Sequence, residues 1–265
     1  MPFFRFESLD AAEAANRPGL LTRMHRGDLD GVLVRGVYSA VECEMVRGAL
    51  EAGRADLVRS EFPAAFKSSF YGINLNLAPP DLVGYFEEAE QFHAGLQRLF
   101  PGHLNLERRT AGLMRRLDGG RPYETPPGPS PGQRYMFTTL RWHPAGGYIP
   151  PHFDDEQARR PSYRFLLPLI ATKLISFVLA FSQAEAGGEL EIYNLRSDAD
   201  DHGGGKINLA SIESVRIALA PGHMIIFRSG RFLHRLTPVI GRRARWNACS
   251  FMAPSHDQTR VYCWG

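Results

Sequence analysis

Hydrophobic positions recur with a helical period in the first half of the chain and in short strand-like runs in the second half. The apolar side chains of residues 82–99 form one stripe of a helix, which is typical of a helix packed on a core. Asp81 is the predicted N-cap of this helix, and Pro101-Gly102 ends it. The stripe consists of Leu82, Tyr85, Phe86, Ala89, Phe92, Leu96 and Leu99.

Two further helices and one strand are predicted in this half. Ser39 followed three residues later by Glu42 forms a capping box, which opens a helix that runs to about Ala52. Residues 31–37 alternate like a strand, and residues 106–117 have the pattern of a helix. The first half is therefore expected to be rich in helices.

The second half is predicted to be a β-structure. Residues 118–133 contain five prolines and four glycines, which predicts an exposed loop. Strands are predicted at 135–142, 174–181, 188–193, 224–227 and 243–251. Short strands without long helices between them favour an antiparallel barrel or a jelly roll. We expect a single, mainly β domain, with helix-rich support at 1–133, a jelly-roll core at 134–253 and a C-terminal tail at 254–265.

A run of mostly apolar residues, 165–182, is the nearest approach to a membrane segment. Pro168 and Lys173 interrupt it, and a membrane helix needs roughly 20 apolar residues. The pattern favours two buried strands joined near Thr172-Lys173. The N-terminus lacks a basic start followed by an apolar core, so no secretory signal is predicted, and a cytoplasmic location is expected.

Composition and charge narrow the classes of function. Hydrophobic residues make up 44% and charged residues 22% of the 265 residues, as in ordinary folded proteins. The formal net charge of +3 is too small to indicate a nucleic-acid or membrane partner. The three cysteines lie far apart without a Cys-x-x-Cys pair, which argues against a disulfide framework or a cysteine zinc site.

Candidate metal ligands occur in the sequence Pro-Pro-His-Phe-Asp. His152 and Asp154 are two residues apart, so on a strand both side chains point to one side. A third ligand is available 82 residues later, where His234 lies among apolar neighbours. An unpaired imidazole would be costly there. The alternative is a core histidine whose ring bonds a backbone carbonyl.

Two histidines and one carboxylate are the protein ligands of non-heme Fe(II) oxygenases. Those oxygenases that use 2-oxoglutarate also need a cation for its distal carboxylate, and arginine suits that role. Arg243 and Arg245 share strand parity, so either side chain could face the interior. Trp142 and His143 are weaker candidates for lining such a pocket.

The order of motifs in the second half resembles the iron(II)/2-oxoglutarate dioxygenases of the prolyl-4-hydroxylase-like group. The motifs are His-x-Asp, then GGELEIYN, then APGHMIIFRSGRFLHRLTPV, then GRRARW. The resemblance implies a double-stranded β-helix, His152, Asp154 and His234 as iron ligands, and 2-oxoglutarate and O2 as cosubstrates. An aromatic residue six positions after the arginine favours Arg245 as the 2-oxoglutarate ligand. Arg243, nine residues after the distal histidine, is the alternate.

The segment HFDDEQARRPSYRFL also resembles a bacterial branch of this group that acts on amino acids and natural products. Some members are halogenases, in which a small residue replaces the metal carboxylate so that chloride can bind iron. Asp154 is present here, which implies hydroxylation or another oxidation of a small-molecule substrate. Asp155 and Glu156 are candidates for contact with a substrate amine.

Two other readings are compatible with the residues. A cupin-like metal-dependent isomerase or hydrolase would use the three ligands but would need no buried arginine. A jelly-roll binding protein would have structural histidines and no tightly bound metal.

Overall fold

The computed structural model describes residues 2–53, 56–60, 62–155, 160–171, 173–197 and 208–265. These residues include four α-helices and sixteen strands. The helices are α1 (Leu20–Arg26), α2 (Ala40–Gly53), α3 (Tyr85–Leu99) and α4 (Leu106–Leu117). The strands are β1 (Phe6–Asp10), β2 (Gly31–Arg35), β3 (Arg59–Ser60), β4 (Ser69–Tyr71), β5 (Tyr123–Glu124), β6 (Thr139–His143), β7 (Ile149–His152), β8 (Ile175–Ala180), β9 (Ala186–Gly187), β10 (Leu190–Arg196), β11 (Ser214–Ile217), β12 (Met224–Phe227), β13 (Phe232–Leu236), β14 (Val239–Ile240), β15 (Arg245–Pro254) and β16 (Val261–Trp264).

The strands form one large sheet, one four-stranded sheet and one short pair. The large sheet has the order β1-β2-β12-β8-β15-β6-β4-β3, with β16 beside β15 and β5 beside β16. The four-stranded sheet has the order β11-β10-β13-β7, and β14 pairs with β9. Neighbouring strands are antiparallel except for β1 with β2 and β5 with β16.

The two larger sheets pack against each other through an apolar layer. This layer contains Ala180, Ile225 and Phe227 from the large sheet and Leu190, Ile192 and Phe232 from the four-stranded sheet. Burying such side chains removes apolar surface from water, which is the main driving force for joining the sheets. The main core also includes buried residues of all four helices, so the helices pack against the sheet structure.

The predicted helices are present, with one different start. The capping box forms as predicted: Glu42 N donates to Ser39 Oγ (3.2 Å), and Ser39 N donates to Glu42 Oε2 (2.8 Å). Helix α4 has the predicted bounds, but α3 begins at Tyr85, after Gly84. Asp81 was the wrong N-cap, because its carboxylate accepts instead from Val83 N in the preceding turn.

The predicted strands also appear, but three details differ. The apolar run 165–182 contributes one strand, β8, and not two, since its first part forms a short 3-10 helix at Leu167–Leu169. Pro168 lies in that turn and has no N–H to donate to a sheet. The loop 118–133 contains β5, and the N- and C-terminal segments supply β1 and β16. Across the described ranges, the helices are too short or too polar to cross a membrane.

Phe92→Ala is expected to lower the free energy of unfolding by about 3–5 kcal/mol, the usual cost of removing a buried aromatic ring. Phe92 is 1% exposed in the main core. Val41→Ala on α2 is a suitable control, since Val41 is 71% exposed and should change stability by no more than about 0.5 kcal/mol. Denaturant unfolding measures both values. Similar stabilities for the two variants would contradict the placement of α3 on the core.

Candidate metal centre

Three potential metal ligands meet between the two larger sheets. His152 ends β7, Asp154 follows two residues later, and His234 lies in β13 directly opposite His152. Each residue offers one ligand atom within 4.8 Å of the others. Asp154 Oδ1 lies 3.4 Å from His152 Nε2 and 3.9 Å from His234 Nε2. No other such cluster of three occurs among the residues described.

Backbone carbonyls orient both imidazole rings. His152 Nδ1 lies 2.8 Å from Pro150 O, and His234 Nδ1 lies 2.9 Å from Phe232 O. Because a carbonyl only accepts, each Nδ1 carries the proton and each Nε2 presents a lone pair. Burial lowers the pKa of His234 to about 4, so its ring is neutral at physiological pH. A neutral imidazole is the form that binds a metal.

A hydrogen bond to the second carboxylate oxygen orients Asp154. Its Oδ2 accepts a hydrogen bond from Ser176 Oγ at 2.7 Å, and Ser176 Oγ lies 2.7 Å from Ser229 Oγ. This leaves Oδ1 facing the two Nε2 atoms. Three electron-pair donors therefore converge, as the protein ligands of a bound cation would. The residues fit a divalent metal such as Fe(II).

Arg245 and the three ligands line one cavity, here called the inner cavity. Arg245 is 4% exposed, and its Nη1 donates to Asn247 Oδ1 at 2.6 Å. Burial, with a smaller effect of the nearby charge of Arg141, lowers the pKa of Arg245 to about 10. The guanidinium therefore remains charged at neutral pH. In the part of the chain that the structure describes, Arg245 has no carboxylate partner.

Arg243 lies outside the inner cavity. It is exposed in the turn before β15, where its backbone N–H donates to Glu185 Oε1 at 3.3 Å. The two arginines share strand parity in the sequence, but the strand begins only at Arg245. The structure thus brings Arg245, and not Arg243, to the candidate site.

Of the other predicted pocket and substrate residues that the structure describes, one lines the inner cavity and two do not. His143 pairs with Arg245 across the sheet and lines the inner cavity, with Nδ1 at 2.8 Å from Ser68 Oγ. Trp142 packs instead beside Trp246, with ring centroids 6.4 Å apart. Asp155 accepts from Leu174 N at 3.0 Å, and it does not line the inner cavity. Glu156 lies outside the described residues.

Several residues of the inner cavity were not among the predicted site residues, and three of them are polar neighbours of the site. Ser176 contacts Asp154, Asn247 contacts Arg245, and Arg141 lies opposite Asn247 across the sheet. Parity with Arg245 along the predicted strand would have identified Asn247. A serine within an apolar strand was the only signal for Ser176. No sequence pattern indicated that Arg141 belongs to the site.

A β-rich fold that brings two histidines, one carboxylate and a buried arginine together is that of the Fe(II)/2-oxoglutarate-dependent oxygenases, and the chain is an enzyme of this class. Within the class, the chain belongs to the family described as carrier-protein-independent halogenase WelO5, whose model matches residues 3–265. The family resemblance noted in the sequence is therefore confirmed at the level of the class. A comparison with curated proteins finds no match.

Solved structures share the fold at low sequence identity. An N-substituted L-amino acid dioxygenase from Burkholderia ambifaria in complex with alpha-KG is 13% identical, with a TM-score of 0.59, and the match covers 96% of this chain and 91% of that one. A second structure of that dioxygenase is 14% identical, with a TM-score of 0.59 and coverage of 95% and 90%. A Pseudomonas putida prolyl-4-hydroxylase is 15% identical, with a TM-score of 0.45 and coverage of 89% and 96%. The two dioxygenase structures show the common β-rich fold.

Proposed function

We propose that the protein hydroxylates or otherwise oxidises an unactivated C–H bond of a small molecule, using Fe(II), 2-oxoglutarate and O2. His152, Asp154 and His234 hold the iron in this proposal, and Arg245 binds the distal carboxylate of 2-oxoglutarate. The single observation that carries it is the convergence of three ligand atoms in a cavity that also contains a buried, charged arginine.

The strand pairing supports a double-stranded β-helix. Eight strands form the four-stranded sheet and the adjacent part of the large sheet: β6, β7, β8, β10, β11, β12, β13 and β15. Counted along the chain, the first pairs with the eighth, the second with the seventh, the third with the sixth and the fourth with the fifth. This nested pairing is the pattern of a jelly roll wound from two four-stranded sheets. We infer that the metal centre lies between the sheets of such a fold.

The protein's own groups position the reactants. The two Nε2 atoms and Asp154 Oδ1 provide three ligands, while Ser176 keeps Asp154 Oδ2 turned away. Iron with its cosubstrates supplies the oxidising chemistry when bound. Arg245 offers two parallel N–H groups to a carboxylate, and Asn247 holds its Nη1 in place. Buried Phe227 beside His234 limits the access of water to the ligands.

Asp154 favours oxygenation over halogenation in this chain, although the family takes its name from a halogenase. A halide bound to iron needs a coordination position, and in the halogenases a small residue replaces the carboxylate to provide it. Asp154 is 2% exposed and directed at both histidines, so it fills that position in our assignment. We therefore propose a hydroxylase-type reaction for this member.

Anaerobic addition of Fe(II) and 2-oxoglutarate tests the proposed function. We expect the weak visible charge-transfer band of an Fe(II)–2-oxoglutarate chelate in the wild-type protein. No band from folded protein at saturating concentrations would overturn the proposal. Metal binding without the band would then favour a cupin-like isomerase or hydrolase, and no metal binding would favour a binding protein.

Ser176→Ala is expected to weaken Fe(II) binding by about 10- to 100-fold, which is the usual cost of losing a group that orients a metal ligand. The variant loses the hydroxyl that holds Asp154 Oδ2. Ser214→Ala is the matched control, because Ser214 Oγ also donates to a carboxylate, Glu191 Oε1, outside the inner cavity. Competition with a chromophoric chelator gives both affinities. Equal effects of the two substitutions would argue against a role for Ser176 at the metal.

A further inference from the structure

A second cavity opens beside the metal centre on the side of His152. This outer cavity has a volume of about 240 Å³. It shares Arg141, Ile149, His152 and Phe251 with the inner cavity. A molecule in the outer cavity would therefore lie against one of the three metal ligands. Arg245 does not line this cavity, so the cation proposed for 2-oxoglutarate faces the inner one only.

One wall of the outer cavity is aromatic. The rings of Phe62 and Phe70 stack with centroids 4.3 Å apart, and Phe66 lies 5.2 Å from Phe62. Ile149 and Leu77 add aliphatic surface. Such a wall binds the apolar body of a ligand by removing its surface from water.

Arg141 is the charged group at the junction of the two cavities. Its guanidinium lies over the ring of Phe70, 4.6 Å from the centroid. Its Nε is buried without a hydrogen-bond partner. Among the residues that the structure describes, the side chain of Arg141 has neither a hydrogen-bond partner nor an ion-pair partner, and its backbone pairs within the sheet. A buried N–H group without an acceptor is costly, so a ligand that offers an acceptor to Arg141 Nε would remove this cost.

Apart from His152, whose Nε2 faces the metal centre, the other polar side chains of the outer cavity can also act as donors. Asn76 Oδ1 accepts from Tyr163 OH, and Asn74 Oδ1 accepts from Asn76 N, so within the described residues each side chain has its NH2 group available as a donor. Arg160 uses Nη1 to bond Asn76 O at 2.8 Å and lines the same cavity. No carboxylate of the described residues lines the outer cavity. The described lining therefore favours an anion over a cation.

We infer that the substrate is an organic acid, with a carboxylate that pairs with Arg141 and an apolar body that packs on Phe62, Phe66 and Phe70. The planar guanidinium can bind both oxygens of a carboxylate at once. This inference rests on the proposed function, since it takes the outer cavity as the place of the substrate. Arg141 is then the residue that determines the substrate class.

Matched pairs of acids and carboxamides test the inference. Benzoylglycine, N-benzoyl-L-leucine and phenylacetate are titrated calorimetrically against their primary amides, both with metal-free protein and anaerobically with Fe(II) and 2-oxoglutarate. We expect at least one acid to bind about 10- to 100-fold more tightly than its amide, as a hydrogen-bonded charge requires. Arg141→Met should remove this preference, and Arg141→Lys should retain part of it.

Arg164→Met is the matched control variant. Arg164 also lies over an aromatic ring, Phe165, at 4.4 Å, but it lines neither cavity. It should leave the preference for the acid intact. If Arg141→Met does not fold, the wild-type comparison and Arg141→Lys still decide the question.

Equal binding of acid and amide in every pair would overturn the inference, as would an acid preference that survives Arg141→Met. Loss of 2-oxoglutarate binding in Arg141→Met, with retention in Arg245→Met, would also overturn it. Failure of the proposed function is seen separately, as a missing charge-transfer band in the wild type. The calorimetry on metal-free protein does not depend on that band.

Discussion

His234→Ala is expected to weaken Fe(II) binding by more than about 100-fold, since even a residue that only orients a ligand contributes about 10- to 100-fold. In our assignment His234 supplies a ligand atom itself. Its Nδ1 is fixed by Phe232 O, so Nε2 faces Asp154 Oδ1. Alanine leaves two ligands where the site needs three. An anaerobic competition with a chromophoric chelator measures the dissociation constant.

His93→Ala provides the control for the loss of a buried imidazole. His93 is 4% exposed, and its Nε2 lies 2.9 Å from Tyr135 O, but it does not belong to the ligand cluster. We expect its Fe(II) affinity to equal that of the wild type, even if its stability falls. Wild-type affinity in His234→Ala would contradict the assignment of this histidine as a ligand.

The elements that the sequence predicted well have strong local signals. Helix α4 and strand β12 have the predicted bounds, because an amphipathic period and an apolar run bounded by Pro221-Gly222 depend on neighbouring residues only. The start of α3 was missed because Asp81 can bond two alternative N–H groups, and the turn used Val83. Strands β1 and β16 depend on partners elsewhere in the chain. Their pairing with β2 and β15 is set by tertiary contacts, which local patterns do not encode.

The residues of the candidate site also differ in how far local sequence patterns could predict them. The spacing of His152 and Asp154 already indicated two side chains on one side of a strand. The role of His234 depended on the family resemblance, because the distance between β7 and β13 is a property of the folded sheet. Parity alone left Arg243 and Arg245 equivalent. Glu185 distinguishes them, since it holds the turn that contains Arg243, 58 residues away in the chain.

Arg245→Met is expected to weaken the binding of 2-oxoglutarate by about 30- to several thousand-fold, because losing one partner of a buried, hydrogen-bonded charge pair costs about 2–5 kcal/mol. The substitution keeps the volume of the side chain but removes the buried guanidinium that faces the inner cavity. Titration of the Fe(II)-loaded protein with 2-oxoglutarate under anaerobic conditions, followed by the charge-transfer band, gives the two affinities.

Although Arg245→Met should weaken 2-oxoglutarate binding, it should not lower the stability of the metal-free protein. A buried guanidinium without a carboxylate partner is costly, so Arg245→Met is expected to be as stable as the wild type or more stable. Added 2-oxoglutarate, with metal present, should raise the unfolding midpoint of the wild type by mass action and should raise that of the variant much less.

Arg243→Met is the control, because it changes an exposed side chain, and it should alter neither the 2-oxoglutarate affinity nor the stability. A larger loss of 2-oxoglutarate affinity in Arg243→Met than in Arg245→Met would reverse the assignment. Weaker 2-oxoglutarate binding together with unchanged or higher stability in Arg245→Met would indicate that Arg245 serves to bind the ligand. Replacing an arginine with a merely structural role would instead lower the stability of the protein.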